Sequence, residues 1–325
     1  MKMLVTGGAG FIGSNLVRRL LASGHDATVY DNFTTGHEQN LVGVDVPVIR
    51  DAISNFDRHD IAGTDVIIHL GMPSTMMLYR NDSVSTMFEA NVGMHKILEA
   101  CRMHGCKLVF ASSSSVYNGL DLPHHENREI LIKDFYTEAR VFIERLAKLY
   151  SDLYGVHSIG FRFFAVYGPH EEAKKGYANM ISQFLWNIMK EESPRVFGDG
   201  NQTRDFTYVD DVTRILEEAA SKQFDTTEIF NIGTAHNHTF NDIIRVINEE
   251  LGKNIQPIYL PNPIRNYVQT LLADTTKLKQ HFSPPQIELR EGVRKLIAYY
   301  TSESKPPDME NMESYYVSKV KTKEP

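Results

Sequence analysis

The chain of 325 residues is 42% hydrophobic and 23% charged, which is typical of a globular protein with one large or two closely joined domains. Its formal net charge of -7 argues against the basic face that binding to nucleic acid requires. No apolar run approaches the ~20 residues needed to span a bilayer, so we expect no membrane contact. The two cysteines lack metal-ligand spacing and the N-terminus leaves no room for a signal peptide, which predicts no metal and a reducing, cytoplasmic location.

A glycine-rich turn follows the first predicted strand, residues 4–6, and leads into a helical pattern. The turn carries three glycines at the spacing of a dinucleotide fingerprint: Gly7, Gly10 and Gly13. In that fingerprint the first glycine permits the turn, the second lets the backbone approach a pyrophosphate, and the third lets the helix pack on the strand. The amides of Phe11 and Ile12 at the helix start would then face the phosphates.

The second predicted strand, residues 27–30, ends in Asp31, where a carboxylate can hold the hydroxyls of the adenosine ribose. Residues 32–35 contain no arginine that would accept a 2′-phosphate, which favours NAD over NADP. A third strand is predicted over residues 44–49. Asp51 follows it and either accepts from the adenine amino group or is a surface acid.

The fourth and fifth predicted strands, residues 65–70 and 107–111, flank a helix over 88–103. Gly71 at the end of the fourth strand would let the backbone approach the cofactor, and His69 inside that strand is interpreted as a core histidine. Four consecutive serines, residues 112–115, end the fifth strand. This alternation predicts a doubly wound parallel sheet with a ligand crevice beyond the carboxyl ends of its strands.

The second half continues with a helix over 136–154 and a strand over 158–166, and becomes loop-rich beyond Pro169. Residues 203–211 open another helix, followed by a strand at 229–233 and an amphipathic helix at 240–251. We therefore predict three parts of the chain. They are a dinucleotide-binding domain at 1–168, to which 206–235 return, a smaller substrate-binding domain at 169–205 and 236–300, and a polar tail at 301–325.

Tyr136 begins a predicted helix, and Arg140 lies one turn later on the same face. A tyrosine acts as a general base only if its usual pKa of about 10 falls toward the working pH. A nearby cation lowers such a pKa by about 1–3, so an arginine together with a positively charged nicotinamide ring could supply the change. Taken alone, a tyrosine and an arginine at this spacing more often form a surface contact.

Seven stretches in the order and spacing found here resemble the extended short-chain dehydrogenase/reductase family of sugar-nucleotide epimerases and dehydratases, and especially UDP-glucose 4-epimerase-like enzymes. The resemblance covers roughly residues 1–300. The stretches are residues 6–13, 31–32, 91–92, 113–117, Tyr136 with its helix, 166–169 and 198–206. The resemblance implies a Rossmann sheet with a smaller C-terminal domain that binds the substrate.

In that family a serine or threonine at the position of Ser113 hydrogen-bonds the sugar hydroxyl that is oxidised, and the tyrosine matching Tyr136 takes its proton. Hydride passes from the sugar C4 to NAD, the 4-keto sugar turns over, and hydride returns to its opposite face. By the same resemblance Arg204 would grip the diphosphate. Phe197 would stack on the nucleotide base or be a core aromatic, and Asn179 would hold the nucleotide end.

The resemblance implies one set of residues that contact NAD and another that contact the nucleotide sugar. Ser113, Tyr136 and Arg140 are also the candidate catalytic residues. The residues that contact NAD are Gly7, Gly10, Phe11, Ile12, Gly13, Asp31, Asn32, Asp51, Ala52, Leu70, Gly71, Asn91, Tyr136, Arg140 and Phe163. Those that contact the nucleotide sugar are Ser113, Ser114, Tyr136, Asn179, Phe197 and Arg204. Relatives pair the helices at 88–103 and 136–154 into a four-helix interface, which predicts a homodimer.

Two residues depart from the family pattern: Arg140 replaces a lysine, and Ala165 replaces an asparagine that helps to hold the sugar diphosphate. Related 4,6-dehydratases carry an acidic pair after the active-site hydroxyl and the decarboxylases a glutamate, where this chain has Ser114 and Ser115. The serines favour epimerisation over dehydration or decarboxylation. A non-catalytic NAD-binding regulator and a simple alcohol or amino-acid dehydrogenase stay as alternatives, although the latter would need no diphosphate-binding arginine.

Overall fold

The computed structural model describes residues 1–57, 61, 63–262 and 267–307. Its strands are β1 Lys2–Thr6, β2 Asp26–Tyr30, β3 Val48–Ile49, β4 Val66–His69, β5 Lys107–Ser113, β6 Ser158–Phe163, β7 Val166–Tyr167, β8 Arg195–Phe197, β9 Thr203–Asp205, β10 Thr207–Tyr208, β11 Glu228–Ile232, β12 Asn237–Thr239 and β13 Ile258–Leu260. Its α-helices are α1 Phe11–Ala22, α2 Met76–Asn81, α3 Ser83–His104, α4 Phe135–Tyr154, α5 Met180–Met189, α6 Val209–Ser221, α7 Phe240–Leu251, α8 Thr276–His281 and α9 Leu289–Ser302.

The central sheet has seven strands in the order β11-β6-β5-β4-β1-β2-β3, and every pair in it is parallel. Side chains of its buried strands alternate between two apolar clusters. Leu4 packs on the side of α3 and α4, and Val5 packs on the side of α1 and α6. Burial on both faces explains why β4 is apolar along most of its length. The predicted doubly wound Rossmann sheet is confirmed.

A third apolar cluster lies outside the sheet, between helices α5, α7 and α9, around the fully buried Trp186. The predicted amphipathic helix at 240–251 is confirmed as α7. Its start is fixed by a capping box in which Thr239 and Asp242 satisfy each other's backbone N–H groups. A helix with one apolar face needs a partner surface, and α7 finds it against α5 and α9.

Four predicted elements differ from the structure at one end by three residues or more. Residues 203–211, predicted to open a helix, first form the short strands β9 and β10, and α6 begins only at Val209. The third strand is only Val48–Ile49, because Pro47 lacks an N–H donor and the preceding residues run along the open edge of the sheet. The strand predicted over 158–166 breaks after Phe163 where Ala165 takes a positive φ of 30°, and β7 then pairs with β10. The helix predicted over 88–103 begins five residues earlier, at Ser83, because the Asp82 side chain caps it.

The register of the sheet brings the carboxyl ends of the strands to one edge. Thr6 of β1 lies beside both Tyr30 of β2 and His69 of β4, and Ser113 of β5 lies beside Phe163 of β6. The residues that follow these strand ends therefore surround a common crevice. Within the described ranges, no helix has the length and apolar character that crossing a membrane would need.

Candidate active site

A cavity of about 760 Å³ lies beyond the carboxyl ends of the sheet strands, between the sheet and the lobe around α5. Most of the residues predicted from the sequence to bind NAD or substrate line this cavity. They are Gly7, Gly10, Phe11, Ile12, Gly13, Asp31, Asn32, Asp51, Leu70, Gly71, Ser113, Ser114, Tyr136, Arg140, Phe163, Asn179 and Arg204.

Three of the predicted residues do not line the cavity. The Ala52 carbonyl accepts from the Tyr30 hydroxyl at 3.3 Å, behind the wall. Asn91 lies in α3, and its buried Oδ1 atom has no hydrogen-bond partner on the described residues. Phe197 is only 9% exposed in β8, which pairs with β13. Phe197 belongs to none of the apolar clusters formed by the described residues, so both interpretations of its ring, stacking on a base and packing in the core, stay predictions.

The glycine turn brings the backbone of β1 and α1 against the end of β4. Gly7 has a positive φ of 70°, and a Cβ there would lie 2.7 Å from the amide nitrogen of Gly71. A Cβ on Gly13 would lie only 2.0 Å from the Gly7 carbonyl, so no side chain fits at this crossing of helix and strand. Helix α1 begins at Phe11 with Gly10 as an N-cap that offers no side-chain oxygen. Its first-turn amides are thus left for an anion in the cavity.

Asp31 directly follows β2 and is 7% exposed. Its two carboxylate oxygens accept from the amides of Ala9 at 2.9 Å and Phe33 at 2.7 Å, which fixes the group at the cavity wall. Burial raises the pKa of Asp31, although the two backbone N–H groups oppose this effect. Asp51, Asp82 and Glu89 line the cavity as well, so this side of it is acidic.

The Asp134 side chain caps helix α4 by accepting from the Thr137 amide at 2.8 Å, and this cap places Tyr136 in the first helical turn at the cavity. The Arg140 guanidinium lies 4.9 Å from the centre of the Tyr136 ring. Tyr79 packs its ring against Tyr136 in an edge-on contact at 5.6 Å. The phenol is therefore held between a cation and an aromatic ring.

Arg140 is 4% exposed, and its partners are neutral. Its two terminal nitrogens donate to the carbonyls of Pro73 at 2.8 Å and Ala111 at 3.3 Å and contact the Met72 sulfur at 3.2 Å. Burial, reinforced by the Arg140 charge, lowers the pKa of His69 to about 3. That histidine is neutral, fully buried and bonded to Thr6, which confirms its interpretation as a core residue.

Ser113 ends β5 and caps the short 3-10 helix Ser114–Tyr117. Its Oγ accepts from the Ser115 amide at 3.1 Å, so the hydroxyl hydrogen is left to donate toward the cavity. Ser114 is 5% exposed and also reaches the cavity wall. Ser112, Ser113 and Ser114 line the cavity and supply hydroxyl groups and no carboxylate.

Arg204 lies on the lobe side of the cavity, inside a cage of backbone oxygens. Its guanidinium donates to the carbonyls of Thr203 at 2.8 Å, Val268 at 2.5 Å and Gln269 at 3.3 Å. It also lies 5.4 Å from the centre of the Tyr267 ring. Burial lowers the pKa of Arg204, but an arginine stays protonated at neutral pH. None of these partners is an acid, so the charge faces the cavity without a counterion on the described residues.

Asn179 caps α5, its Oδ1 accepting from Ile181 and its Nδ2 donating to the Val166 carbonyl. One N–H of its side-chain amide is left for a ligand.

The sequence did not reveal Lys174 and Glu171, which line the same wall and pair at 2.9 Å. They lie in a loop-rich stretch without periodicity, where the sequence offered no signal for either. Within the described residues no group of His, Cys, Asp or Glu could hold a metal ion.

Comparison with known proteins identifies the family. The model of the NAD-dependent epimerase/dehydratase family matches residues 3–233, which is more than half of the chain. The chain belongs to this family. The resemblance inferred from the motifs is thus confirmed, as is NAD as the cofactor on which the family depends.

Individual relatives carry different activities. A putative UDP-glucose 4-epimerase of Methanocaldococcus jannaschii is 34% identical over 91% of this chain and 97% of its own length. UDP-glucuronic acid decarboxylase 1 of Arabidopsis thaliana is 29% identical over 92% of this chain and 69% of its own. The solved UDP-N-acetylglucosamine 4-epimerase of Methanobrevibacter ruminantium, in complex with UDP-N-acetylmuramic acid, superposes with a TM-score of 0.87 at 26% identity, over 93% of this chain and 98% of its own. The family membership alone leaves the reaction and the sugar open.

Proposed function

We propose that this protein is an NAD-dependent epimerase that inverts C4 of a nucleotide-diphosphate hexose of the UDP-glucose/UDP-galactose type. The observation that carries the proposal is the wall formed by Ser113, Ser114, Tyr136 and Arg140. It combines in one cavity a hydroxyl donor, a phenol and a cation that pairs with no acid among the described residues. Removal of a proton and hydride from a secondary alcohol, and their return, require these groups and no additional acid.

The residues of the cavity fit NAD. The uncapped start of α1 suits the pyrophosphate. Because Gly7, Gly13 and Gly71 have no side chains, the cofactor can approach the backbone at these positions. Asp31 suits the hydroxyls of the adenosine ribose. When bound, NAD accepts a hydride from the sugar carbon and returns it.

Arg204 would bind the substrate diphosphate. A partly buried guanidinium that has no carboxylate partner among the described residues carries a desolvation cost, which an incoming dianion would offset. The carbonyl cage fixes the orientation of the fork before the substrate arrives. The remaining amide N–H of Asn179 would support the nucleotide end, and Ala165 leaves open the space that an asparagine occupies in many relatives.

Ser113, Tyr136 and Arg140 would divide the acid–base work. Ser113 donates its hydroxyl hydrogen to the sugar oxygen and orients it, since its own oxygen is already occupied by the Ser115 amide. Tyr136 accepts the proton of the 4-hydroxyl as the 4-keto sugar forms and gives it back after the sugar has turned. Arg140 stabilises the phenolate through its charge.

The acid-poor serine segment separates this proposal from the other activities in the family. Dehydration and decarboxylation would need protons to be moved at C5 or C6, and Ser114 and Ser115 have no group that ionises near neutral pH. A simple alcohol or amino-acid dehydrogenase would have no use for Arg204 in its cage. A non-catalytic NAD-binding regulator would need neither the Ser113 donor nor the contact between Tyr136 and Arg140.

The proposed reaction is tested by incubating the purified protein with UDP-glucose, UDP-galactose and UDP-glucuronate separately and following each sugar by proton NMR. We expect interconversion of UDP-glucose and UDP-galactose with no net formation of NADH. Loss of water, or release of carbon dioxide from UDP-glucuronate, would assign the chain to another activity of the family. Absence of turnover with all three, with NAD bound, would favour the regulator.

Replacing Asp31 by alanine should weaken NAD binding about tenfold to a hundredfold, because each hydrogen bond to a charged group contributes about 1.5–3 kcal/mol. Binding should also weaken as the pH is lowered through the raised pKa of Asp31, since the protonated group accepts poorly. Isothermal titration with NAD measures both effects. Asp26→Ala at the exposed start of the same strand is the control. Tighter binding of NADP than of NAD by the parent protein would contradict this assignment.

We also propose that two copies of the chain associate through α3 and α4. These helices expose large apolar side chains to solvent, including Val84 at 79%, Phe88 at 60% and Leu153 at 61%. Burying a side chain of this size contributes about 1.5–3 kcal/mol, so several together favour association.

The double variant Phe88→Glu/Leu153→Glu should therefore be monomeric at micromolar concentration in light scattering, where the parent is a dimer. Val42→Glu, which alters an equally exposed apolar residue elsewhere (60%), should leave the dimer intact. A monomeric parent protein would refute the proposed assembly.

A further inference from the structure

A buried ion pair behind the serine segment has no part in the reaction described above. Arg162 of β6 and Glu144 of α4 are 4% and 7% exposed. The guanidinium donates from Nε at 2.9 Å and from Nη2 at 2.6 Å to the two carboxylate oxygens of Glu144. This two-pronged geometry joins helix α4, which carries Tyr136 and Arg140, to the sheet.

The same pair contacts both ends of the segment that carries Ser113. Ser112, directly before it, donates its hydroxyl to Glu144 at 2.5 Å. Tyr117, at the end of the 3-10 helix, accepts from Arg162 Nη1 at 2.7 Å. Residues 112–117 are therefore held at both ends by a single ion pair, with Ser113 between them.

The contacts continue from Tyr117 to β11, an edge strand of the central sheet. The Tyr117 hydroxyl donates to the Asn231 side chain at 2.8 Å, and the Asn231 amide donates to the carbonyls of His124 and Asp274. Burial raises the pKa of Tyr117 to about 12, so at neutral pH it stays a phenol that donates and accepts at once. His124 stacks on the Tyr117 ring with centroids 4.9 Å apart, which fixes the ring as well.

We propose that the Glu144–Arg162 pair is a positioning device that sets the separation of Ser113 from Tyr136. Helix α4 contributes Tyr136 and Glu144, strand β5 contributes Ser112 and Ser113, and the pair connects the two. Because a buried charge without its partner is costly, the pair resists displacement of either element. The inference rests on the proposed function for its catalytic consequence, but the clamp on residues 112–117 stands independently of the substrate.

The first test is kinetic. Glu144→Gln keeps the shape of the side chain and removes its charge, and Tyr117→Phe removes the hydroxyl that accepts from Arg162 and donates to Asn231. Each should lower kcat about 10- to 100-fold with little change in KM, because a displacement of ~1 Å at a reacting group can cost about 10²-fold. On a Ser113→Ala background the same substitutions should change kcat less than about threefold, because the group that they position is gone. Additive losses on that background would overturn the positioning role.

The control is Asp211→Asn. Asp211 is another buried acid that pairs with an arginine, Arg214, but both residues lie on α6 and do not contact the serine segment. This substitution should lower the unfolding temperature and leave kcat unchanged. A loss of kcat in Asp211→Asn equal to that in Glu144→Gln would show a general effect of destabilisation and overturn the proposal.

The second test needs no turnover. Amide hydrogen exchange of the NAD-bound protein should be faster over residues 112–117 in Glu144→Gln and Tyr117→Phe than in the parent, and unchanged there in Asp211→Asn. Unaltered exchange over this segment in both variants would refute the clamp. If the parent converts no UDP-hexose, the proposed function fails while this measurement still decides the clamp.

Discussion

Tyr136→Phe should lower kcat by about 10²–10⁴-fold while NAD and the nucleotide sugar still bind, because only the proton acceptor is removed. The ring contacts with Tyr79 and Arg140 depend on the aromatic face and survive in phenylalanine. The loss should therefore appear in kcat, with KM and the unfolding temperature close to those of the parent. Steady-state rates of UDP-galactose conversion and thermal unfolding measure these quantities.

Tyr79→Phe is the matched control for this variant. Tyr79 is 1% exposed and packs against Tyr136, but its hydroxyl makes no hydrogen bond within the described part of the chain. Loss of that hydroxyl should leave kcat within about threefold of the parent value, because no hydrogen bond is broken. A Tyr136→Phe protein that keeps more than a tenth of the parent rate would remove Tyr136 from the proton transfer.

The cofactor side of the site was predictable because its signals are local. The turn, helix start and acid that follows β2 are fixed by the spacing of Gly7, Gly13 and Asp31 within one strand-helix-strand unit. A buried parallel sheet then forces the later strand ends to the same edge. Ser113 and Tyr136 reach the cavity for this reason, although they are distant from the glycine turn in the sequence.

The substrate side depends on contacts that no local pattern encodes. The carbonyls that cage Arg204 come partly from Val268 and Gln269, in an irregular segment more than sixty residues away. The clamp of Glu144 and Arg162 joins a helix to a strand. Each residue is a charge at a buried position of its own element, but no local pattern shows that the two pair with each other. Phe197 shows the converse, since a single aromatic residue near a family motif does not reveal whether its ring faces a ligand or the core.

Arg140 gives the second large effect, because it is the cation beside Tyr136 and departs from the lysine that relatives use. Arg140→Met should lower kcat about tenfold to a thousandfold and alter the pH–rate profile, since the positive charge 4.9 Å from the centre of the Tyr136 ring is lost from beside the proton acceptor. Arg140→Lys keeps the charge and should retain activity, although one ammonium group replaces the fork that now reaches Pro73 and Ala111.

Two measurements separate charge from cofactor binding in these variants. If Arg140 acts by its charge, the methionine variant should hold NAD in isothermal titration and differ from the parent in its pH–rate profile. If it only bridges the nicotinamide ribose, the methionine variant should lose NAD affinity and keep the parent profile. A methionine variant equal to the parent in rate, profile and NAD affinity would remove Arg140 from the site. The regulator would then gain support, because a tyrosine without its cation is a poor base at neutral pH.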